Sequence, residues 1–286
     1  MNGIVNLYKP KGWTSRDAVN KVRSCLGTKE VGHMGTLDPQ GEGVLPVGVG
    51  KATRLFDAFL KKDKVYEADF TFGYETDTLD GEGTITEQGG RIPSEAEVAA
   101  AIKKLVGKQM QIPPAYSAKS VGGVRAYDLA RKGEKVELKP ARVTIYDACV
   151  LGEKGATYRV SVHCSAGTYI RSVCRDLAYS LGSYATMTSI KRLRSGVFRI
   201  ENSVTVDELV SLKEKAIIPV AEVLSDFPRV DVEDKFYEKL SNGVKLYGIE
   251  LPDAPFSVYC RGELFGLGEA RDDGSLKIKT YLKDND

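Results

Sequence analysis

Between Gly32 and Gly50 the chain reads GHMGTLDPQGEGVLPVGVG, and six glycines and two prolines in nineteen residues narrow what it can become. Glycine loses extra conformational entropy in a regular element, while proline lacks an N–H and fixes its own φ. The stretch is therefore expected to be loop rather than helix or central strand. One carboxylate, Asp38, stands inside it between Leu37 and Pro39. Pro39 biases Asp38 away from the α region, so such a loop holds one acid at a fixed angle. An isolated Asp-Pro most often starts a turn and nothing more. The residues that accompany it elsewhere decide between the two.

Length and charge bound the rest. The 286 residues suit one large domain, or a large one and a small one. No apolar run reaches the roughly 18 residues of a membrane span, and MNGIVNLYKP carries no signal-peptide core. The five cysteines, at 25, 149, 164, 174 and 260, form no C-x-x-C pair, so a reducing cytoplasm is expected. His163-Cys164 reads as a strand dipeptide rather than a metal site. Asp77, Asp80 and Glu82 lack the calcium-loop pattern. Gly50-Lys51 has Leu45 where a phosphate-binding loop needs glycine and Ala52 where it needs Ser or Thr. Net charge is +2, but residues 200–286 hold 11 Lys and Arg against 18 Asp and Glu. Residues 1–199 hold 30 against 21, and residues 103–142 alone hold ten against three. A polyanion is expected to dock on the first two-thirds.

The chain in order alternates strand and helix patterns. Residues 3–8 read as a strand and 9–14 as a tight turn. Ser15 is placed to cap a helix with Ala18, Val19, Val22, Cys25 and Leu26 on one face and Gly27 as its stop. KATRLFDAFLKK, after Gly50, reads as a helix. Residues 64–72 alternate, with Tyr66, Ala68, Phe70 and Phe72 on one strand face. By spacing alone Tyr66 is a core aromatic. Ser94 and Glu97 form a capping box for a helix that runs to Gly107. Residues 109–133 interleave Lys119, Arg125, Arg131 and Lys132 with Tyr116 and Tyr127, which suits an RNA surface. Residues 142–150 and 157–164 read as strands. Ile170, Val173, Cys174, Leu177, Ala178 and Leu181 lie at helical spacing, which puts Arg171 in the first turn. The helix dipole disfavours a cation there, so an exposed arginine or one placed to meet an anion is expected. After a hinge at Phe227-Pro228, the tail reads as short strands.

Six of these stretches, taken in order, resemble the motifs of the TruB-type tRNA pseudouridine synthases. They are KPKGWTS, HMGTLDPQGEGVL, KVYEADFTFGYETDTLDGEG, QMQIPPAYSAKSVGGVRAYDLARKG, CSAGTYIRSVCRDL and IKRLRSGVF. The chain departs from the family pattern at Gly41-Glu42-Gly43, where Ala-Thr-Gly is usual, and at Ile190, where Leu is usual.

The resemblance implies an α+β fold: a mixed, largely antiparallel sheet with flanking helices, followed by a small β-rich PUA-like unit. It implies a catalytic domain at 1–228 and the PUA-like domain at 229–286. The implied reaction is isomerisation of uridine to pseudouridine at position 55 in the T loop of tRNA. No cofactor or metal is implied. The implied enzyme is a cytoplasmic monomer that needs no protein partner and recognises the T stem-loop. In the family the aspartate corresponding to Asp38 is catalytic, and the arginine corresponding to Arg171 pairs with it. Tyr66 is implied to pack on the target uracil and to help remove its C5 proton. Tyr169 lines the uracil site, Ile190 packs beside it, and His33 fills the gap left by the flipped base. Whether Asp38 attacks C6 of the base or acts at C1′ of the sugar is open at this stage. A catalytically silent RNA-binding protein and a guide-RNA-dependent synthase are also open.

Overall fold

The structure, a computed structural model, describes residues 1–117, 119–121, 123–132 and 138–283. Ala118, Gly122, Gly133 and the Arg125 side chain, all from the basic–aromatic stretch, lie outside what is described. The chain begins β1 (Gly3–Lys9), α1 (Ser15–Leu26), β2 (Val31–His33), β3 (Gly41–Val49), α2 (Phe56–Leu60), β4 (Lys64–Phe72), β5 (Tyr74–Thr76) and β6 (Ile85–Gln88). It continues α3 (Glu95–Lys104), β7 (Gly107–Gln111), β8 (Ser120–Val121), β9 (Val124–Arg125), α4 (Ala126–Arg131), β10 (Ala141–Lys154), β11 (Thr157–Cys164) and α5 (Ile170–Ser180). Then come β12 (Ala185–Ser195), β13 (Phe198–Arg199), α6 (Val206–Leu212), β14 (Ile218–Pro219) and α7 (Val220–Val223). The tail holds β15 (Arg229–Val232), α8 (Tyr237–Ser241), β16 (Phe256–Cys260), β17 (Glu263–Ala270) and β18 (Leu276–Tyr281).

A ten-stranded sheet in the order β14-β1-β3-β12-β4-β11-β10-β7, with β2 on β3 and β13 on β12, forms the frame. Its pairings are antiparallel except that of β3 with β12. The alternation of residues 64–72 is realised in β4, where Tyr66, Ala68, Phe70 and Phe72 are buried. They join one apolar cluster with Val19 and Val22 of α1, Val98 and Ile102 of α3, and Val173 and Leu177 of α5. Truncating a fully buried ring such as Phe70 to alanine costs about 3–5 kcal/mol, so this face anchors the fold. The opposite face is polar: Thr71 meets Thr157 at 2.9 Å and Thr188 at 3.0 Å, and Arg159 pairs with Asp69 at 2.9 Å. A second sheet, β15-β16-β17-β18, has its own core of Val230, Leu240, Phe256, Val258 and Phe265. Leu267 and Leu282 turn instead toward Ile4, Met34, Phe59 and Phe227.

The glycine-rich stretch departs from expectation. Residues 41–49 form β3, which lies inside the sheet. Two local facts permit this. The Pro46 carbonyl accepts from Met34 N at 2.8 Å, so the missing Pro46 N–H points to the edge where the partner of β3 changes from β12 to β2. Gly43 has φ +101°, and a Cβ there would stand 2.4 Å from the Arg192 carbonyl oxygen. Gly43 thus serves a close strand approach rather than a loop. Only the Asp38–Gly41 segment is a turn, closed by Gly41 N donating to Asp38 O at 2.9 Å.

Three smaller boundaries differ from the sequence reading. Thr14, not Ser15, caps α1: Thr14 Oγ1 accepts from Asp17 N at 3.0 Å, and the Asp17 carboxylate accepts from Thr14 N at 2.9 Å. KATRLFDAFLKK divides into a 3-10 turn at Gly50–Leu55 and the short α2. Helix α3 ends at Lys104, because Gly107 already opens β7.

Gly43→Ala is expected to destabilise the protein by about 2 kcal/mol or more, through the strained φ and the collision with β12. Urea denaturation measures it; a loss within about 0.5 kcal/mol, as at an ordinary surface site, would contradict this account of β3.

Candidate active site

Asp38 sits at the first position of its turn because three elements hold the turn. Ser15 Oγ donates to Leu37 O at 2.9 Å and accepts from Leu37 N at 2.9 Å. Gly12 N donates to Pro39 O at 2.8 Å. Lys9, fully buried, turns its ammonium onto Trp13 O at 2.6 Å and Pro10 O at 3.0 Å. The KPKGWTS stretch is thus the cradle of the Asp38 turn, and Ser15 is occupied there rather than at the helix cap.

The side chain of Asp38 is 42% exposed, and its Oδ2 lies 2.8 Å from Arg171 Nη2. Arg171 is buried in the first turn of α5. Its Nη1 meets Asp80 Oδ2 at 3.3 Å and Thr78 O at 3.1 Å, and its Nη2 also donates to Tyr116 O at 3.1 Å. Two carboxylates and two carbonyls therefore surround the guanidinium. The unfavourable helix dipole is worth about 0.3–1 kcal/mol, and each charge-assisted hydrogen bond about 1.5–3 kcal/mol, so the contacts prevail. Of the two placements the sequence left open for Arg171, the buried, anion-paired one is realised.

Asp80 is itself fixed. Thr78 Oγ1 donates to Asp80 Oδ1 at 2.6 Å, Glu82 N donates to the same oxygen at 3.2 Å, and Thr76 Oγ1 donates to Asp80 O at 2.7 Å. On the far side, Gln111 clamps the backbone ahead of α5. Its Oε1 accepts from Tyr169 N at 2.9 Å and its Nε2 donates to Tyr169 O at 3.2 Å.

The other sequence-derived site residues gather around this pair to different degrees. Tyr66 is 9% exposed and lies in the same apolar cluster as Leu37 and Ile190. Burial raises its phenol above the usual range, with Arg192 pulling the other way. Burial likewise raises Tyr169, which feels the charges of both Asp38 and Arg171. Ile190 of β12 pairs with Ala68 of β4 and with Gly41, the last residue of the Asp38 turn. His33 lies at the end of β2, opposite Val47. Its Nδ1 is buried with no hydrogen-bond partner among the described residues. Burial, then Arg192, lowers its pKa, so the ring is neutral near pH 7. Arg192 is a charged neighbour of His33.

Ser15, Gln111, Asp80 and Arg192 organise the site and were not named as site residues from sequence. All four lie in the quoted motifs, and that position was the available signal. Among the described residues no His, Cys, Asp and Glu side chains cluster in a way that would hold a metal ion. Among the described residues no helix is long and apolar enough to cross a membrane.

With this geometry the chain compares with solved structures of one class. It covers 99% of its length against a chain of an H/ACA ribonucleoprotein bound to a substrate RNA containing 2′-deoxyuridine (TM-score 0.75, 26% identity, 86% of that chain). It superposes as well on a chain of a Cbf5-Nop10-Gar1 complex (TM-score 0.73, 29% identity, 94% of this chain and 78% of that one). In sequence, residues 23–170 match the TruB family pseudouridylate synthase N-terminal domain. The tRNA pseudouridine synthase B of Solibacter usitatus is 39% identical over 280 residues, 94% of this chain and 96% of that protein. That of Clostridium kluyveri is 38% identical over 289 residues, 99% of this chain and all of that protein. The chain belongs to the TruB family of pseudouridylate synthases.

The site has a pH signature of its own. Burial, then Arg192, pulls Lys64 down to about 8, with its ammonium set on backbone carbonyls, Leu60 O at 2.7 Å among them. An unfolded lysine titrates near about 10.4, so between about pH 8 and 10 the unfolded state binds more protons and the lysine makes stability rise with pH. Lys64→Met removes that rise. The stability of wild type relative to Lys64→Met is expected to increase from pH 7.5 to 9.5 in urea denaturation. A constant difference would contradict the buried, charge-stressed lysine.

Proposed function

We propose that the chain converts uridine to pseudouridine at position 55 in the T loop of tRNA, with Asp38 as the catalytic group. The observation that carries this reading is the half-open Asp38 carboxylate held on the buried Arg171. The names of the relatives supply the tRNA. The target base leaves the stack at a cost of a few kcal/mol and enters the cleft between the Asp38 turn, β4 and α5. Tyr66 packs on it and takes the C5 proton, Tyr169 and Ile190 wall it, and neutral His33 fills the space it vacates. Asp38 acts on the nucleotide while the uracil leaves C1′ through N1, turns, and rejoins through C5.

Residues 1–228 form the catalytic domain in this reading, and 229–286 a PUA-like domain. The second sheet, which begins at Arg229, and its separate core support that division. The basic excess of residues 1–199 favours a phosphate-rich footprint on the catalytic part. The protein acts as a cytoplasmic monomer, without cofactor or protein partner.

The test uses the purified chain on a tRNA transcript. Wild type is expected to form pseudouridine at position 55. Asp38→Asn is expected to form none while binding the same transcript within a few-fold in filter binding. Substantial turnover by Asp38→Asn would remove Asp38 from the mechanism.

A further inference from the structure

Arg192 is among the largest side chains the fold buries completely, at 1% exposure, and the mechanism above gives it no task. Burying a guanidinium costs several kcal/mol, and an apolar side chain of similar volume would spare that cost. Its contacts suggest why it is present. Nε donates to Val44 O at 2.7 Å, Nη1 to Thr36 O at 3.1 Å and Nη2 to Gly35 O at 3.3 Å. All three acceptors belong to the segment on either side of Asp38. Strand register adds a second relation: Arg192 stands opposite Tyr66 on β4 and opposite Gly43 on β3. One residue therefore ties the strand bearing Tyr66 to the turn bearing Asp38.

We propose that Arg192 is a positioning residue that fixes the Asp38 turn against β4 and sets a permanent positive charge beside the Tyr66 hydroxyl, favouring the phenolate that takes the C5 proton. The proposal rests on Tyr66 being the base assigned above. In that step the C5–H bond breaks, its electron pair forms the C5–C6 double bond, and the pair of the existing C6–N1 double bond moves onto N1. The proton goes to Tyr66 Oη, and the negative charge passes from the phenolate to uracil N1, which water protonates.

The surrounding charges single out Arg192. Facing the Tyr66 hydroxyl are Arg192 from β12, Cys164 from β11 and Asp38 from its turn; of these only Arg192 favours the phenolate. Facing Arg192 are Lys9 from β1, His33 from β2 and Lys64 from β4. Both lysines are drawn down to about 8 by burial and then by Arg192, and His33 is neutral. A guanidinium does not deprotonate in proteins, so its charge alone persists through the working range.

The experiment compares wild type, Arg192→Gln and Arg192→Lys in two measurements. The first is an NMR titration of tyrosines labelled with carbon-13 at Cζ, with Tyr66 assigned through Tyr66→Phe. The second is the single-turnover rate on tRNA carrying deuterium at C5 of the target uridine. Arg192→Gln is expected to move the Tyr66 midpoint upward, slow turnover by about 10²-fold and enlarge the deuterium effect over wild type. A folded Arg192→Gln with an unmoved midpoint and an unchanged isotope effect would overturn the proposal and leave Arg192 a brace. A moved midpoint with an unchanged isotope effect would overturn it differently, by showing that Tyr66 is not the base. If Arg192→Gln does not fold, Arg192→Lys decides. Its isotope effect should match wild type at pH 7 and grow at pH 9, as the buried lysine loses its proton. An isotope effect independent of pH would overturn the proposal.

Discussion

A buried guanidinium cannot be left unpaired, and the site follows from how Arg171 is paired. Removing one partner of a buried ion pair costs about 3–5 kcal/mol, so Asp38, Asp80 and the two carbonyls are mutually obligatory. The contacts draw on four separated stretches of chain: the Asp38 turn, the Thr78–Asp80 turn, the segment at Tyr116 and the start of α5. Three of the four, the two turns and the start of α5, are anchored by their own hydrogen bonds, through Ser15, Thr78 and Gln111. Arg171 is the point at which the local geometries must agree. A partly exposed carboxylate on such a support is preorganised, and its reorganisation cost is met in folding rather than in turnover.

Charge in this region is arranged on a second principle. Lys9, Lys64 and Arg192 are buried against backbone carbonyls. Carbonyl dipoles stabilise a cation without neutralising it, so the floor of the cleft keeps a positive field. Burial, and after it the Arg192 charge, brings both lysines to about 8 and holds His33 below its ordinary value. The chemistry proposed for the site develops negative charge on carboxylate, phenol and base, where a positive floor is useful.

Much of the fold was legible because local signals and tertiary demand agreed. The alternation in residues 64–72 became β4, the Ser94–Glu97 box became the start of α3, and Gly27 ended α1 in the left-handed region. Failures came where long-range contacts overrode propensity. Gly43, which argues against a strand, was needed so that β3 could meet β12 closely. Ser15 has the chemistry of a cap but is taken by Leu37, more than twenty positions away, which left Thr14 to cap the helix. Spacing made Tyr66 a core aromatic and resemblance made it a site residue; it is buried in the cluster that backs the site. The ion pair of Asp38 with Arg171 was legible only through resemblance, since no local rule joins residues so far apart. Arg192 offered only its place in the IKRLRSGVF stretch, because a buried arginine paired to carbonyls leaves no local pattern in a sequence.

The dependence of Asp38 on Arg171 is open to one direct measurement. Tritium release from C5-labelled uridine in an isolated T stem-loop, under single-turnover conditions, reports the reaction of the protein alone. Wild type should release the label, Arg171→Ala should lose most of the rate, and Arg171→Lys should recover part of it, since lysine restores charge without the two-pronged fork. An Arg171→Ala protein that is folded and releases tritium at the wild-type rate would contradict the account.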